Sequence, residues 1–266
     1  MSSKGKQQMD KKTLFIAAAL LAGTAQATPI NLGGSETNLQ QVLDGITCDP
    51  AQYGCVLGAP SSVNVQTDQA QLDERWSLGA TGGAFSQIVI EIAGNAAYNR
   101  FGIYDIMDHT QRVEMFSGAA SAGSRSMLSI TSDGSVWAGD PFAGTFSDSG
   151  INFNQNVFGF YLDTPSGTWY SQSLLNSDGA DHMVAYDGQF DLVQIGGAFP
   201  GYWLPNEFVL AWEDLPSSGW DYDYNDFVVM VESVQGVPEP ATLALLGIGL
   251  AALGWVARRR RIRLMA

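Results

Sequence analysis

All but four of the chain's 13 basic residues are crowded into its two ends. Lys4, Lys6, Lys11 and Lys12 lie in the first 12 positions, and Arg258, Arg259, Arg260, Arg261 and Arg263 in the last nine. Residues 28–237 hold only Arg75, Arg100, Arg112 and Arg125 against 25 acids, a formal charge of −21. A body this acidic is repelled by phosphate backbones, which excludes nucleic acid as a partner. With 45% apolar residues overall, the chain still has the means to bury a core. The ends and the middle therefore do different jobs.

Residues 1–27 read as a secretory signal peptide. The lysines give its charged front, Thr13–Gly23 an apolar run, and Ala25-Gln26-Ala27 a small-x-small cleavage site. Cleavage after Ala27 leaves Thr28 as the first residue of an exported chain, in an oxidising compartment. Retention of 1–27 as a membrane anchor is the competing reading, but the run is short for a span.

Residues 235–266 form a second address. Val237-Pro238-Glu239-Pro240 precedes an apolar stretch over 241–257, and four consecutive arginines follow. Seventeen helical residues reach about 26 Å, enough to cross the inner membrane with arginines snorkelling. The basic cluster stays cytoplasmic, so the body lies outside. Pro238, Glu239 and Pro240, the apolar span and Arg258, Arg259, Arg260 and Arg261 together resemble the PEP-CTERM sorting signal of exported bacterial proteins. That resemblance implies processing near Pro-Glu-Pro by an exosortase-type membrane protease. It further implies delivery to the cell surface or extracellular matrix, in association with exopolysaccharide and biofilm. Prolines on both sides of Glu239 keep the segment extended and open to a protease.

Between these addresses, periodicity favours strands. Ile88–Ile92, Phe101–Met107, Asn152–Leu162, Trp169–Ser171, Met183–Tyr186 and Phe190–Ile195 alternate. Phe208–Trp212 and Phe227–Val231 are continuous apolar runs, as expected of strands buried on both faces. Turn residues recur at roughly 8–12-residue intervals, the spacing of a sandwich. One helix is expected from Leu39, Val42, Leu43 and Ile46, with Thr37 and Gln40 as a capping box. The expected fold is all-β: a single jelly-roll-like β-sandwich over 28–234 with one short N-terminal helix, between a signal peptide and a C-terminal transmembrane helix. Cys48 and Cys55, the only cysteines, read as a disulfide. Closing so short a loop is worth about 2.5 kcal/mol on the chain-entropy model.

The densest chemistry lies between the two continuous runs. Glu213, Asp214, Asp221, Asp223 and Asp226 crowd one connection together with Asn225. Carboxylates so close repel one another unless water or a hard cation screens them, and oxygen ligands in an exported protein suit calcium. Asp221, Asp223, Asn225 and Glu232 fall at positions 1, 3, 5 and 12 of an EF-hand loop, but Asp226 stands where that loop needs glycine. The alternative is a solvated hairpin whose Asp and Asn side chains cap turns. Glu213-Asp214-Leu215 and Asp221-Tyr222-Asp223-Tyr224-Asn225-Asp226 resemble the core of the domain of unknown function numbered 4114, here about 150–234. That resemblance implies an all-β body and no particular activity.

Trp212, Trp220, Tyr222 and Tyr224 are a candidate sugar-stacking platform, or else packing. His109 and His182 are the only imidazoles and neither lies in a nucleophile elbow. The sequence thus points to a non-enzymatic surface protein of the exopolysaccharide matrix, with calcium as the one candidate cofactor. A polysaccharide-binding module is the alternative, and a glycan hydrolase the weaker one.

Overall fold

A computed structural model of the chain describes residues 28–34, 36–79, 82–91, 97–196, 198–238, 247–250 and 252. Among these, α1 (Leu39–Ile46) is followed by β1 (Trp76–Leu78), β2 (Gly83–Glu91), β3 (Arg100–Asp105), β4 (Asp108–Phe116) and β5 (Arg125–Ile130). Next come β6 (Ser135–Gly139), β7 (Ser147–Asn152), β8 (Phe158–Thr164), β9 (Gly167–Tyr170) and β10 (Met183–Asp187). The last are β11 (Asp191–Val193), β12 (Gly201–Trp203), β13 (Glu207–Trp212), β14 (Phe227–Glu232) and β15 (Val234–Gly236).

Two antiparallel sheets carry the fold. One runs β15-β1-β8-β3-β4 with β9 added beside β8, and the other runs β10-β13-β14-β2-β5-β6-β7. Both sheets contribute to one apolar core, which makes the all-β sandwich. With six and seven strands, the sheets outgrow the eight-strand layout of a simple jelly roll.

The two continuous runs do lie in strands buried on both faces. Phe208, Leu210 and Trp212 of β13 and Phe227, Val229 and Val231 of β14 enter the core between the sheets. Their neighbours Val209, Ala211, Val228 and Met230 point the other way, into a second core. That second core is closed by α1 through Leu39, Val42, Leu43 and Ile46, and by Val63, Val65, Val193 and Trp203. A strand with a lid on each side has no face to leave polar, hence the unbroken apolar run.

The helix forms where its apolar spacing puts it, but its cap sits one residue later than expected. Asn38 is the N-cap and Gln41 completes the box. Gln40 instead joins α1 to the next segment, donating to the Val63 carbonyl and accepting from the Val65 amide at 3.1 Å each. The Cys48–Cys55 disulfide is formed and pins the loop just after the helix. Strands β4 to β7 were not foreseen. They carry exposed polar positions, and β7 is a largely exposed edge strand with no apolar alternation. Likewise Asn152–Leu162 is broken between β7 and β8 rather than continuous.

One cross-strand arrangement fixes the centre of the six-stranded sheet. Gly102 of β3 lies opposite Tyr161 of β8, and Tyr104 lies opposite Gly159. Each tyrosine folds over the glycine across from it, so a β-carbon at either glycine would collide with the ring. The Tyr104 hydroxyl meets the Gln172 side-chain amide at 3.0 Å, and the Arg112 guanidinium lies 4.9 Å from the Tyr161 ring centre. Gly159→Ala is therefore expected to expel the Tyr104 ring and cost about 1–3 kcal/mol. Urea unfolding of the purified protein checks this, and an unchanged midpoint would contradict the packing.

Candidate functional site

Strands β13 and β14 pair from Glu207↔Glu232 to Trp212↔Phe227, so residues 213–226 emerge at one end of the seven-stranded sheet. Because the pair is buried on both faces, its connection starts and ends below the surface. Glu213 and Asp214 are 1% and 2% exposed, Asp223 6% and Asn225 1%. Asp226 is half-buried, while Asp221 is exposed.

The six predicted residues divide into two groups. Glu213, Asp214 and Asp226 tie the connection together. Glu213 Oε1 accepts from the Tyr224 amide at 3.1 Å, and Asp226 Oδ2 accepts from the Asp214 amide at 2.9 Å. Asn99 donates to Asp214 Oδ2 at 3.1 Å, and the Trp169 indole donates to the Asp214 carbonyl at 3.0 Å. These are turn-capping roles. Asn225 is a clamp of the same kind, its side-chain amide donating to Asp223 Oδ2 and to the Thr37 carbonyl.

Asp221 and Asp223 instead join a residue from far along the chain. With Glu36 they bring three carboxylates within 4.8 Å of one another. The segment before α1 is held on the acidic run by the Asn31 amide, which donates to the Tyr222 carbonyl at 2.6 Å, and by its side chain, which donates to the Asp221 carbonyl at 2.9 Å. Tyr222 and Tyr224 both adopt left-handed backbone, at φ 65° and 51°. That conformation costs about 1–3 kcal/mol per residue and persists only where the surroundings impose it. Here Tyr224 is fully buried and its hydroxyl donates to the Asp181 carbonyl at 2.6 Å. Sequence reasoning missed Glu36, since no spacing rule connects it to residues some 185 positions away.

The aromatic platform is not assembled. Trp212 and Tyr224 are each 0% exposed, so their faces belong to the cores. Trp220 is half-buried and donates its indole N–H to the Leu215 carbonyl, which leaves Tyr222, 45% exposed, as the open ring. His182 is also internal. Its ring stacks on Trp169 at 3.8 Å, meets Trp220 edge-on at 4.6 Å, and lies 3.2 Å from Asp178 rather than pairing with adjacent Asp181. Burial lowers the His182 pKa, favouring the neutral ring. Against its own burial, Asp178 is held down to about 2 by backbone N–H donors from Ser217 and Ala180. His109 lies apart on β4, edge-on to Tyr170.

Burial dominates the acids of the connection. It pushes Glu213 up to about 8, with the charges of Asp226 and Asp221 adding to it. Burial and neighbouring Asp214 push Asp226 up to about 7, and burial and Asp221 push Asp223 up to about 6. A carboxyl whose folded pKa is raised binds its proton more tightly when folded. Its contribution is complete below the unfolded value of about 4 and is lost as pH rises through the folded value. In chelator, the protein is thus expected to lose stability from about pH 5 to pH 8, at up to about 1.4 kcal/mol per pH unit for each proton released. Glu213→Gln, which keeps the shape without the ionisation, should flatten the upper part of that slope. Melting midpoints across the range measure it, and a midpoint that climbs toward pH 8 would contradict the burial of Glu213.

Among the described residues, no helix is long and apolar enough to cross a membrane. The signal-peptide residues Ala25 and Ala27, the sorting residues Glu239, Pro240 and Arg258 to Arg261, and most of the 241–257 span lie outside the described residues. Pro238 is described, half-buried, two residues after the end of β15. No curated protein and no solved structure matches the chain. Residues 236–261 match the family model of the PEP-CTERM protein-sorting motif, which implies export, membrane-associated sorting to the cell surface and processing by an exosortase.

Proposed function

We propose that this chain is a non-enzymatic structural protein of the exopolysaccharide matrix, exported, briefly anchored in the inner membrane through 241–257, and released by an exosortase-type protease near Pro238–Pro240. The sorting motif carries this reading: it starts at residue 236, the last residue of β15, so the processing signal begins where the fold ends. A body with 25 acids and four arginines suits a hydrated, anionic matrix. Resemblance of the body to the 4114 domain rests on its acidic motif and adds no activity. The polysaccharide-binding and hydrolase alternatives draw less support, because Trp212 and Tyr224 are core residues and His182 is enclosed by Trp169 and Trp220.

Intact mass of the extracellular protein is expected to give a C-terminus near Pro238–Pro240. Cells lacking the exosortase should instead accumulate chain ending at Ala266. An intact tail in every extracellular copy would refute the processing.

Calcium has one specific observation in its favour. Glu36, Asp221 and Asp223 present three carboxylate oxygens within 4.8 Å, with Asp223 buried, a set of hard ligands suited to Ca²⁺. Such a site would couple the N-terminal segment to the acidic connection. At a hundredfold excess over its dissociation constant, a bound ion adds about 2.7 kcal/mol of stability. The melting midpoint at neutral pH is expected to rise in calcium relative to chelator, and Glu36→Gln should abolish the rise. Equal midpoints in the two buffers would remove the ion from this proposal.

A further inference from the structure

Thr28 is held at all three of its polar atoms by side chains 41 and 153 positions away. Its backbone nitrogen donates to Gln69 Oε1 at 2.8 Å and its hydroxyl to Asp181 Oδ2 at 2.8 Å, while its carbonyl accepts from Gln69 Nε2 at 2.6 Å. Gln69 is itself placed by a bridge to Tyr186 of β10. Two residues on, Ile30 enters the second core. Thr28 is thus where the chain joins the body.

The surroundings of this residue are acidic. Burial raises the carboxyl of Asp181, and burial together with the Asp181 and Glu74 charges raises that of Asp73 well above its ordinary range. The other titratable groups on these elements are the carboxyls of Asp68 and Glu74, the phenols Tyr186 of β10 and Tyr224 of the acidic connection, Arg75, and His182, which faces Asp178. Neighbouring half-buried carboxylates are costly unless a cation sits between them. Lysine is absent after Lys12, so a side-chain ammonium cannot come from the body.

Removal of residues 1–27 makes one. We propose that Gln69, Asp181 and Asp73 form a binding site for the α-ammonium of Thr28, which exists only after the signal peptide is cut off. The peptide N–H that Gln69 now receives becomes a cation with three donors, one for Gln69 and the others free to turn toward the carboxylate charge of Asp181, whose Oδ2 already holds the Thr28 hydroxyl. Maturation thereby converts a repulsive pocket into an ion pair that fastens the new N-terminus. The inference rests on reading Ala27–Thr28 as the cleavage site.

Loss of Lys4, Lys6, Lys11 and Lys12 with the signal leaves the processed chain with a single primary amine, at Thr28. An N-hydroxysuccinimide ester therefore reports that group alone. On exported protein, intact mass first fixes the N-terminus. Acylation at pH 8 is then expected to run at least about fivefold slower in the native protein than in urea, with its midpoint pH above the ordinary α-amino range of about 7.7–8.0. Asp73→Asn, which leaves the Thr28 hydroxyl its partner, should restore much of the rate. The acylated wild-type protein, which needs no substitution, should melt about 2–4 °C or more below the free form. An N-terminus other than Thr28 overturns the premise of cleavage. A Thr28 terminus that reacts equally fast folded and unfolded, or melts unchanged when acylated, overturns the site while leaving the cleavage standing.

Discussion

Burial of β13 and β14 on both faces governs the rest of the molecule. Inward side chains such as Leu210 and Val229 join the core between the sheets, and outward ones such as Val209 and Val228 join the core under α1. Each such side chain is worth about 1.5–3 kcal/mol when fully removed from water, so the pair is costly to disturb. It also dictates what happens at its end. The connection that follows Trp212 cannot surface at once, and Glu213 and Asp214 are drawn inside with it. The buried acids are a consequence of the strand pair as much as a feature of their own loop.

Those acids are tolerated by two separate means. Backbone amides of Tyr224 and Asp214 serve Glu213 and Asp226, and the Asn99 amide serves Asp214. Protonation removes charge where burial is deepest, as the raised value of Glu213 shows. Asp223 draws on both, through Asn225 and a pKa raised to about 6, yet it and Asp221 also face Glu36, which concentrates negative charge at the seam between the N-terminal segment and the acidic run. The same seam is closed by Asn31 on one side and by Asn225 bonding to the Thr37 carbonyl on the other. Neutral amides supply the cohesion here and the carboxylates oppose it.

How much of this was legible in the sequence depended on whether a residue's environment is set locally. The runs 208–212 and 227–231 announced two-faced burial, and Leu39, Val42, Leu43 and Ile46 announced the helix, because period and apolarity are local properties. The cap moved from Thr37 to Asn38 for a non-local reason: the Thr37 carbonyl is bonded by Asn225, and Gln40 is engaged by Val63 and Val65. Strands β4 and β7 are sheet edges with exposed polar positions, and a sheet edge needs little apolar alternation, while β5 and β6 lie inside the seven-stranded sheet but are short and interspersed with serine and glycine. The aromatics of 212–224 could not be sorted into core and surface from spacing. Left-handed turns at Tyr222 and Tyr224 break the alternation there, so one ring opens to solvent while the other is fully buried.

The exit of the chain is placed with as much care as its entry. After β14 the backbone turns through Ser233 at φ 61° and crosses to the other sheet, where β15 pairs with β1 at its edge. Gly236 passes so close to the Leu72 carbonyl that no β-carbon would fit, and the Val237 amide donates to the Arg75 carbonyl at 2.7 Å. Pro238 has no N–H with which to continue that ladder, so this pairing ends at Val237. Entry and exit therefore hang on one segment: Gln69 holds Thr28, and Leu72 and Arg75 receive the last strand. Six residue steps span at most about 20 Å of extended chain. Thr28 and the end of β15 are thus both held by one short stretch of chain, 69–75.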